Sequence, residues 1–380
     1  MDFEHSEQQQ LIRAMVREFA QREVAPIAKA IDKSGEFPLA TVKKMAQLGL
    51  LGMVVPPEYG GSGTDTVSYA IAIEELSRIC ASHGVIVSVN NSLACWPILH
   101  YGTEEQKQRY LVPMAKGEEL GAYALTEPAA GSDAAKQKAT AVLDGDSWLL
   151  NGNKIFITCG GAAQTYVLFA MTEPAKRYKG ITAFIVPRDV DGLTVGTEEE
   201  KMGIRATATT EIFLSNVRIP KENVLGEVGQ GFKVAMNTLN GGRIGIAAQA
   251  LGIAQGCLDE AVAYAKVREA FGKTLGQMQA IQWMLADIAT DVEVSRLLTY
   301  RAAWHEDTGA DYIMSSAMAK LFAAEACVTA ARKAVQIYGG YGYSKDYPVE
   351  RFYRDSKITE IYEGTNEIQR VVIAGQLGLR

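Results

Sequence analysis

The chain has 380 residues, of which 48% are hydrophobic and 22% charged, a balance that excludes intrinsic disorder and suits a soluble protein of two or three domains. A net charge of -6 gives no electrostatic reason to expect nucleic acid. Five widely spaced cysteines without a CxxC pair, and four histidines without HExxH, argue against a disulfide framework and a structural metal.

The opening "MDFEHSEQQQ" is polar, without the basic and apolar regions of a secretion signal or the Arg/Ser bias of a transit peptide. The expected compartment is therefore cytoplasmic, or the mitochondrial matrix if a leader has been removed. Ser6 and Gln9 form a capping box for a first helix whose apolar face is Leu11, Ile12, Met15, Val16 and Phe19. A second helix is expected after Pro38 and a third over "VSYAIAIEELSRIC", with "PPEYGGSGTD" as a loop between them. Residues 1–120 thus read as a helical domain.

From residue 121 the pattern changes. The Asn-Gly pair in "WLLNGNKIFIT" predicts a hairpin turn, and "YVLFAMT", "ITAFIVP" and "EIFLSNVRIP" read as strands, giving a β domain over 121–230. Long alanine-rich helical runs follow in 231–380, "RIGIAAQALGIAQGCLDEAVAYAK", "IQWMLADIATDVEVSRLLTYRAAW" and "MSSAMAKLFAAEACVTAARKAVQIYGG", as in a helical bundle. No apolar run approaches the roughly 18 residues of a membrane span. "FGKTL" lacks the upstream glycine of a P-loop, because that position is Val267, and no GxGxxG follows a strand.

In "ITEIYEGTNEIQR", Glu360, Glu363 and Glu367 have the spacing of a solvated helix face. Gly364 offers a second reading, in which a helix break projects Glu363 as a working acid or base.

Three stretches in order, "YALTEPAAGSDAA", "NGNKIFIT" and "IYEGTNEIQR", resemble the acyl-CoA dehydrogenase family, with the best match to its short-chain, butyryl-type branch. The resemblance covers essentially the whole length. It implies an α+β multidomain fold: an N-terminal helical domain, a middle β-barrel or sandwich, and a C-terminal four-helix bundle. It also implies an FAD cofactor. Tyr123, Leu125 and Thr126 would line the flavin, Gly131 and Ser132 would face flavin and CoA, and Phe156, Ile157 and Thr158 would form the flavin wall. Many members carry tryptophan where this chain has Phe156. Arg268, Phe271, Gln279, Gln336, Gly339 and Gly340 would reach the FAD of a neighbouring subunit, implying an oligomer, typically a homotetramer.

For the substrate, an acyl-CoA, the resemblance implicates Asn240, Arg243, Ser132 and Gly364, with Asn240 standing where the family often has aspartate. Glu363 matches the catalytic base, and Thr365 and Glu367 would meet the flavin. Relatives of the isovaleryl type place their glutamate where this chain has Gly242. The implied reaction is α,β-dehydrogenation to a trans-2-enoyl-CoA, with electrons passing to an electron-transferring flavoprotein. Branched, alicyclic or glutaryl thioesters, a flavin oxidase of the same fold, and a vestigial helical scaffold are the alternatives. Trp96, in "NNSLACWPILHYG", is a candidate for closing the acyl pocket against long chains.

Overall fold

The computed structural model describes residues 4–379. Its first part is helical: α1 (Glu7–Phe19), α2 (Ala25–Ser34), α3 (Leu39–Gln47), α4 (Thr66–Ser77), α5 (Ala81–Ser88), α6 (Trp96–Tyr101), α7 (Glu104–Gln106) and α8 (Val112–Lys116). The capping box at Ser6 and Gln9 forms as expected, each side chain taking the other's backbone N–H. A π-helical segment, Val89–Cys95, separates α5 from α6. Widened turns of this kind shift the side chains that follow, and they recur at functional sites.

Eight strands then make one sheet: β1 (Gly121–Ala124), β2 (Thr140–Asp144), β3 (Ser147–Ile157), β4 (Thr165–Met171), β5 (Ile181–Pro187), β6 (Leu193–Glu198), β7 (Thr210–Pro220) and β8 (Val224–Leu225). Their order is β6-β7-β3-β2-β4-β5-β8, with β1 lying parallel to β4 off that path. The expected hairpin at Asn151-Gly152 is not there. Both residues lie inside β3, where the register against β7 slips between Leu150 and Gly152. Gly152 has φ 138°, and a Cβ on it would sit 2.7 Å from that of Ala139. The dipeptide therefore serves a bulge and a close approach rather than a turn. The chain reverses instead at Gly145-Asp146, between the paired Asp144 and Ser147.

The remaining chain is α9 (Gly231–Val267), a short ribbon of β9 (Glu269–Ala270) and β10 (Lys273–Thr274), α10 (Gln279–Asp307), α11 (Ile313–Tyr338), α12 (Val349–Ser356) and α13 (Asn366–Gln376). Helices α9, α10 and α11 pack on one another, α13 adds to α11, and α4 of the first part packs along α9. The stretch Ile313–Tyr343 passes for a membrane span by length and composition alone. Its buried alanines lie in the core shared with α9 and α4. The bare backbone at Gly245, Gly252 and Gly256 lets α9 approach its neighbours closely. A Cβ on Gly252, for example, would come within 2.3 Å of the Glu74 carbonyl.

Candidate active site

The segment after α12 ends in a 3₁₀ turn, Lys357–Glu360, and then breaks. Glu363 has φ 52° and Gly364 φ 92°, two successive residues in the left-handed region. Glycine adopts that conformation freely, whereas for glutamate it costs about 1 kcal/mol or more and persists only where the surroundings impose it. The surroundings do so here. Thr365 caps α13 by accepting the Ile368 N–H, the Gln369 amide donates to the Gly364 carbonyl at 2.9 Å, and the Lys320 ammonium donates to the same carbonyl at 2.8 Å. Both helix-like flanks of the sequence pattern exist, but the Glu363 break is a deliberate kink between them.

The kink aims the Glu363 carboxylate at α9. A Cβ on Gly242 would lie 2.2 Å from Glu363 Oε2 and 3.0 Å from Leu93 Cδ2, so the bare glycine makes room for the carboxylate. Glu363 Oε2 is buried without a hydrogen-bond partner among the described residues. Desolvation is the largest influence on this carboxyl, pushing its pKa up from 4.5 to about 7, while the nearby Lys320 and Arg243 charges pull the other way. Beside it lies a small apolar cluster of Val85, Val89, Leu93 and Ile246, with Tyr123, Leu239 and Tyr362 packed against it. The Glu363 backbone N–H is taken up by no described residue.

Arg243 follows Gly242 on α9 and is buried. It donates to Asn240 Oδ1 at 2.7 Å, while its Nε has no partner. Burial lowers its pKa to about 10, which leaves it charged at neutral pH. The asparagine at 240 therefore acts as an acceptor for the arginine beside it.

The other expected contacts fall into two groups. Tyr123 lies in β1, its hydroxyl donating to the Ala235 carbonyl of α9, and Leu125 and Thr126 follow the strand. The Ile155 N–H donates to the Thr126 carbonyl at 2.9 Å, which sets this loop beside Phe156, Ile157 and Thr158 at the end of β3. Phe156 is held at φ 59° and is 61% exposed, an aromatic face offered outward rather than a core ring. Gly131 and Ser132 lie on the exposed loop beyond, with nothing within 4 Å of a Cβ on Gly131. The whole loop is anchored from beneath by Lys154. Its buried ammonium reaches the Leu125 carbonyl, Glu127 and Gln137, at 3.2, 2.7 and 3.0 Å. That anchor was not singled out in the sequence.

Arg268, Gly339 and Gly340 line a cleft of about 580 Å³ together with Tyr264, Tyr338 and Tyr341. The Arg268 guanidinium lies 5.4 Å over the Tyr341 ring, and both glycines leave open space above the backbone. Gln336 is exposed one turn before them, Gln279 is the exposed first residue of α10, and Phe271, at φ 53°, is 96% exposed on the β9–β10 turn. These residues are not part of the Glu363 site. Arg243 and Arg268 are both on or at the end of α9, 25 residues apart, which is about 37 Å of helix. Thr365 and Glu367 stay with Glu363 at the start of α13. Trp96 stacks on His100 at 4.0 Å, and Leu93, from the π-helical segment, comes against Gly242.

Three family models match in succession: the acyl-CoA dehydrogenase N-terminal domain over residues 6–118, the middle domain over 122–217 and the C-terminal domain over 229–378. The chain belongs to the acyl-CoA dehydrogenase family. It is 53% identical to the short-chain specific acyl-CoA dehydrogenase of Clostridium acetobutylicum, over 99% of this chain and 100% of that one. Among solved structures, butyryl-CoA dehydrogenase from Megasphaera elsdenii superposes with a TM-score of 0.98 at 45% identity, with all of both chains covered. A chain from the structural work on the electron transferring flavoprotein of Acidaminococcus fermentans matches with a TM-score of 0.98 at 49% identity, over 99% of each chain. The acyl-CoA dehydrogenases are oxidoreductases, and membership brings a flavin to this fold. The outward Phe156 ring, the loop beside it and the open glycine-lined cleft are chemically suited to an aromatic ring system and an anionic tail.

Proposed function

We propose that the protein is an FAD-dependent dehydrogenase of short-chain acyl-CoA thioesters, forming the trans-2-enoyl-CoA with Glu363 as the base. The observation that carries this reading is the enclosed, unpartnered Glu363 Oε2, facing a glycine-made vacancy on α9 and an apolar cluster. A free carboxylate is too weak a base for a carbon acid, and burial raises its proton affinity toward the operating pH.

The bound flavin would supply the acceptor for the hydride. Glu363 Oε2 takes the α-proton, the C–H electron pair moves toward the thioester carbonyl, and the β-hydrogen leaves with its electron pair as the double bond closes. The unengaged Glu363 N–H is a donor for the carbonyl oxygen as charge develops on it. Tyr123, Thr126, Phe156 and Thr158 would hold the flavin ring, and the apolar cluster excludes water from the carboxylate. Arg243, with Asn240, would hold the CoA portion.

Arg268 stands at the far end of α9, and Gly339 and Gly340 share its cleft from the end of α11, too far to serve a flavin whose ring lies at Glu363 of the same chain. They would grip the nucleotide end of a second copy's FAD, which makes the enzyme an oligomer, a homotetramer by the family's habit. The electron acceptor would be an electron-transferring flavoprotein. Glu363→Gln tests the base: bound flavin should be kept, and turnover of butyryl-CoA should fall by about 10²–10⁴-fold or more. A flavin-loaded variant with near-normal turnover would overturn the assignment.

A further inference from the structure

Among the described residues two lysines are completely buried, and they differ in one respect. Lys154 has a carboxylate partner, Glu127 at 2.7 Å. Lys320, on α11, has no carboxylate within ion-pair distance among the described residues. Its Nζ donates instead to the Gly364 carbonyl at 2.8 Å and to Asn366 Oδ1 at 3.1 Å. A buried ammonium is costly when no anion compensates it. Its position shows what it serves, since one acceptor belongs to the kink that carries Glu363 and the other follows it at the start of α13.

The geometry points to Lys320 as a positioning residue for the base: it pins the Glu363-Gly364 kink through the Gly364 carbonyl, and its charge favours the ionised, proton-accepting form of Glu363. This inference rests on Glu363 being the base.

Every charged or titratable neighbour is consistent with that role. From α9, Arg243 also faces the carboxylate, but its guanidinium is tied to Asn240. Tyr69 of α4, Tyr123 of β1 and Tyr362 all feel the Glu363 charge and stay neutral, their pKa values raised by burial. Around Lys320 itself, the Glu363 charge is the largest Coulombic influence, followed by Glu360, Arg243 and Glu367. Glu360 is already paired with Lys357, and Glu367 is exposed. Burial lowers the Lys320 pKa to about 8, so it still holds its proton where Glu363, at about 7, gives its own up. Contact with the reacting atoms is not required of it.

The test is the pH dependence of kcat/KM for butyryl-CoA in the flavin-loaded enzyme, with a dye as electron acceptor, for Lys320→Gln, Lys320→Met and Lys320→Arg. Gln keeps a donor for the Gly364 carbonyl and removes the charge, Met removes both, and Arg keeps both. The acid limb should move up by about one pH unit or more in Gln and Met and stay in place in Arg, because an opposite charge nearby holds a carboxyl down by that amount. Rate should be partly recovered at high pH in Gln, whose loop is still pinned. If Met fails to retain flavin, Gln and Arg decide the matter. An acid limb in Gln at the wild-type position, whatever the loss of rate, overturns the electrostatic role. That outcome alongside an inactive Glu363→Gln leaves the base assignment standing, whereas an active Glu363→Gln removes the base itself.

Discussion

Removing the charge of Glu363 should make the protein more stable while it destroys turnover, and the size of the gain follows from the site. The carboxyl ionises near 4.5 when solvated and near 7 in the folded chain, because burial without a hydrogen-bond partner disfavours its anion. Between those values the folded protein keeps a proton that the unfolded chain has released. Stability contributed by the neutral form is therefore lost as pH rises from about 4.5 to 7, and nothing further is lost above that. A shift of 2.5 pH units corresponds to about 3 kcal/mol. Glutamine is neutral throughout, so Glu363→Gln should regain about 3 kcal/mol at pH 8, roughly 1 at pH 5 and almost none below pH 4.5. With an unfolding entropy of about 2 cal/mol/K per residue, the gain at pH 8 is a rise in Tm of about 4 °C. Thermal unfolding of wild type and variant at matched pH values measures it directly. A Tm difference that does not change with pH, or a variant less stable at pH 8, would refute the reasoning, because both require a carboxylate that is comfortable as an anion.

Gly242→Ala should cost turnover by about 10²-fold with flavin retained, since the new Cβ would fall 2.2 Å from Glu363 Oε2 and force the carboxylate off its line. Steady-state kinetics with butyryl-CoA checks it, and unchanged kcat would mean the carboxylate has room elsewhere. In the wild-type enzyme the acid limb of kcat/KM should fall near pH 7, because the base works only after losing its proton. An acid limb near pH 4.5 would mean that burial does not act on Glu363 in solution. Lys154→Met should destabilise the protein by about 3–5 kcal/mol, since Glu127 would be left buried without its cation under the loop that follows β1. Denaturant unfolding measures that loss, and a variant as stable as wild type would show the pair to be dispensable.

The fold was largely legible in the sequence where local pattern and tertiary role agree. Ser6 and Gln9 signal their cap by side-chain chemistry alone, and the alternating and continuous apolar runs at 165–171 and 181–187 are indeed the buried strands β4 and β5. Asn151-Gly152 misled because a positive φ serves a bulge as well as a turn, and only the approach of Ala139 distinguishes them. At the site, Glu363-Gly364 stood out because a carboxylate beside a glycine interrupts a helical pattern. Lys320 and Lys154 did not, because a lone lysine in a helix or strand usually carries its charge to solvent. A signal for Lys320 existed nonetheless. Ser316, Ala323, Ala324 and Cys327 share its helix face, and all are buried, so the lysine sits in the middle of a core stripe. Leu93 was hidden for another reason. Leu93 comes against Gly242 from the π-helical widening at Val89–Cys95, a departure from helix geometry that the sequence does not announce.

The most direct test of the central claim is anaerobic mixing of flavin-loaded wild type and Glu363→Gln with butyryl-CoA, following loss of the oxidised flavin's visible absorption. The account predicts rapid bleaching of the wild type by butyryl-CoA, slower bleaching by longer acyl chains, and none on that timescale in the variant. Equal bleaching of the variant would contradict Glu363 as the base, and a yellow wild type that butyryl-CoA leaves unbleached would contradict the short-chain dehydrogenase itself.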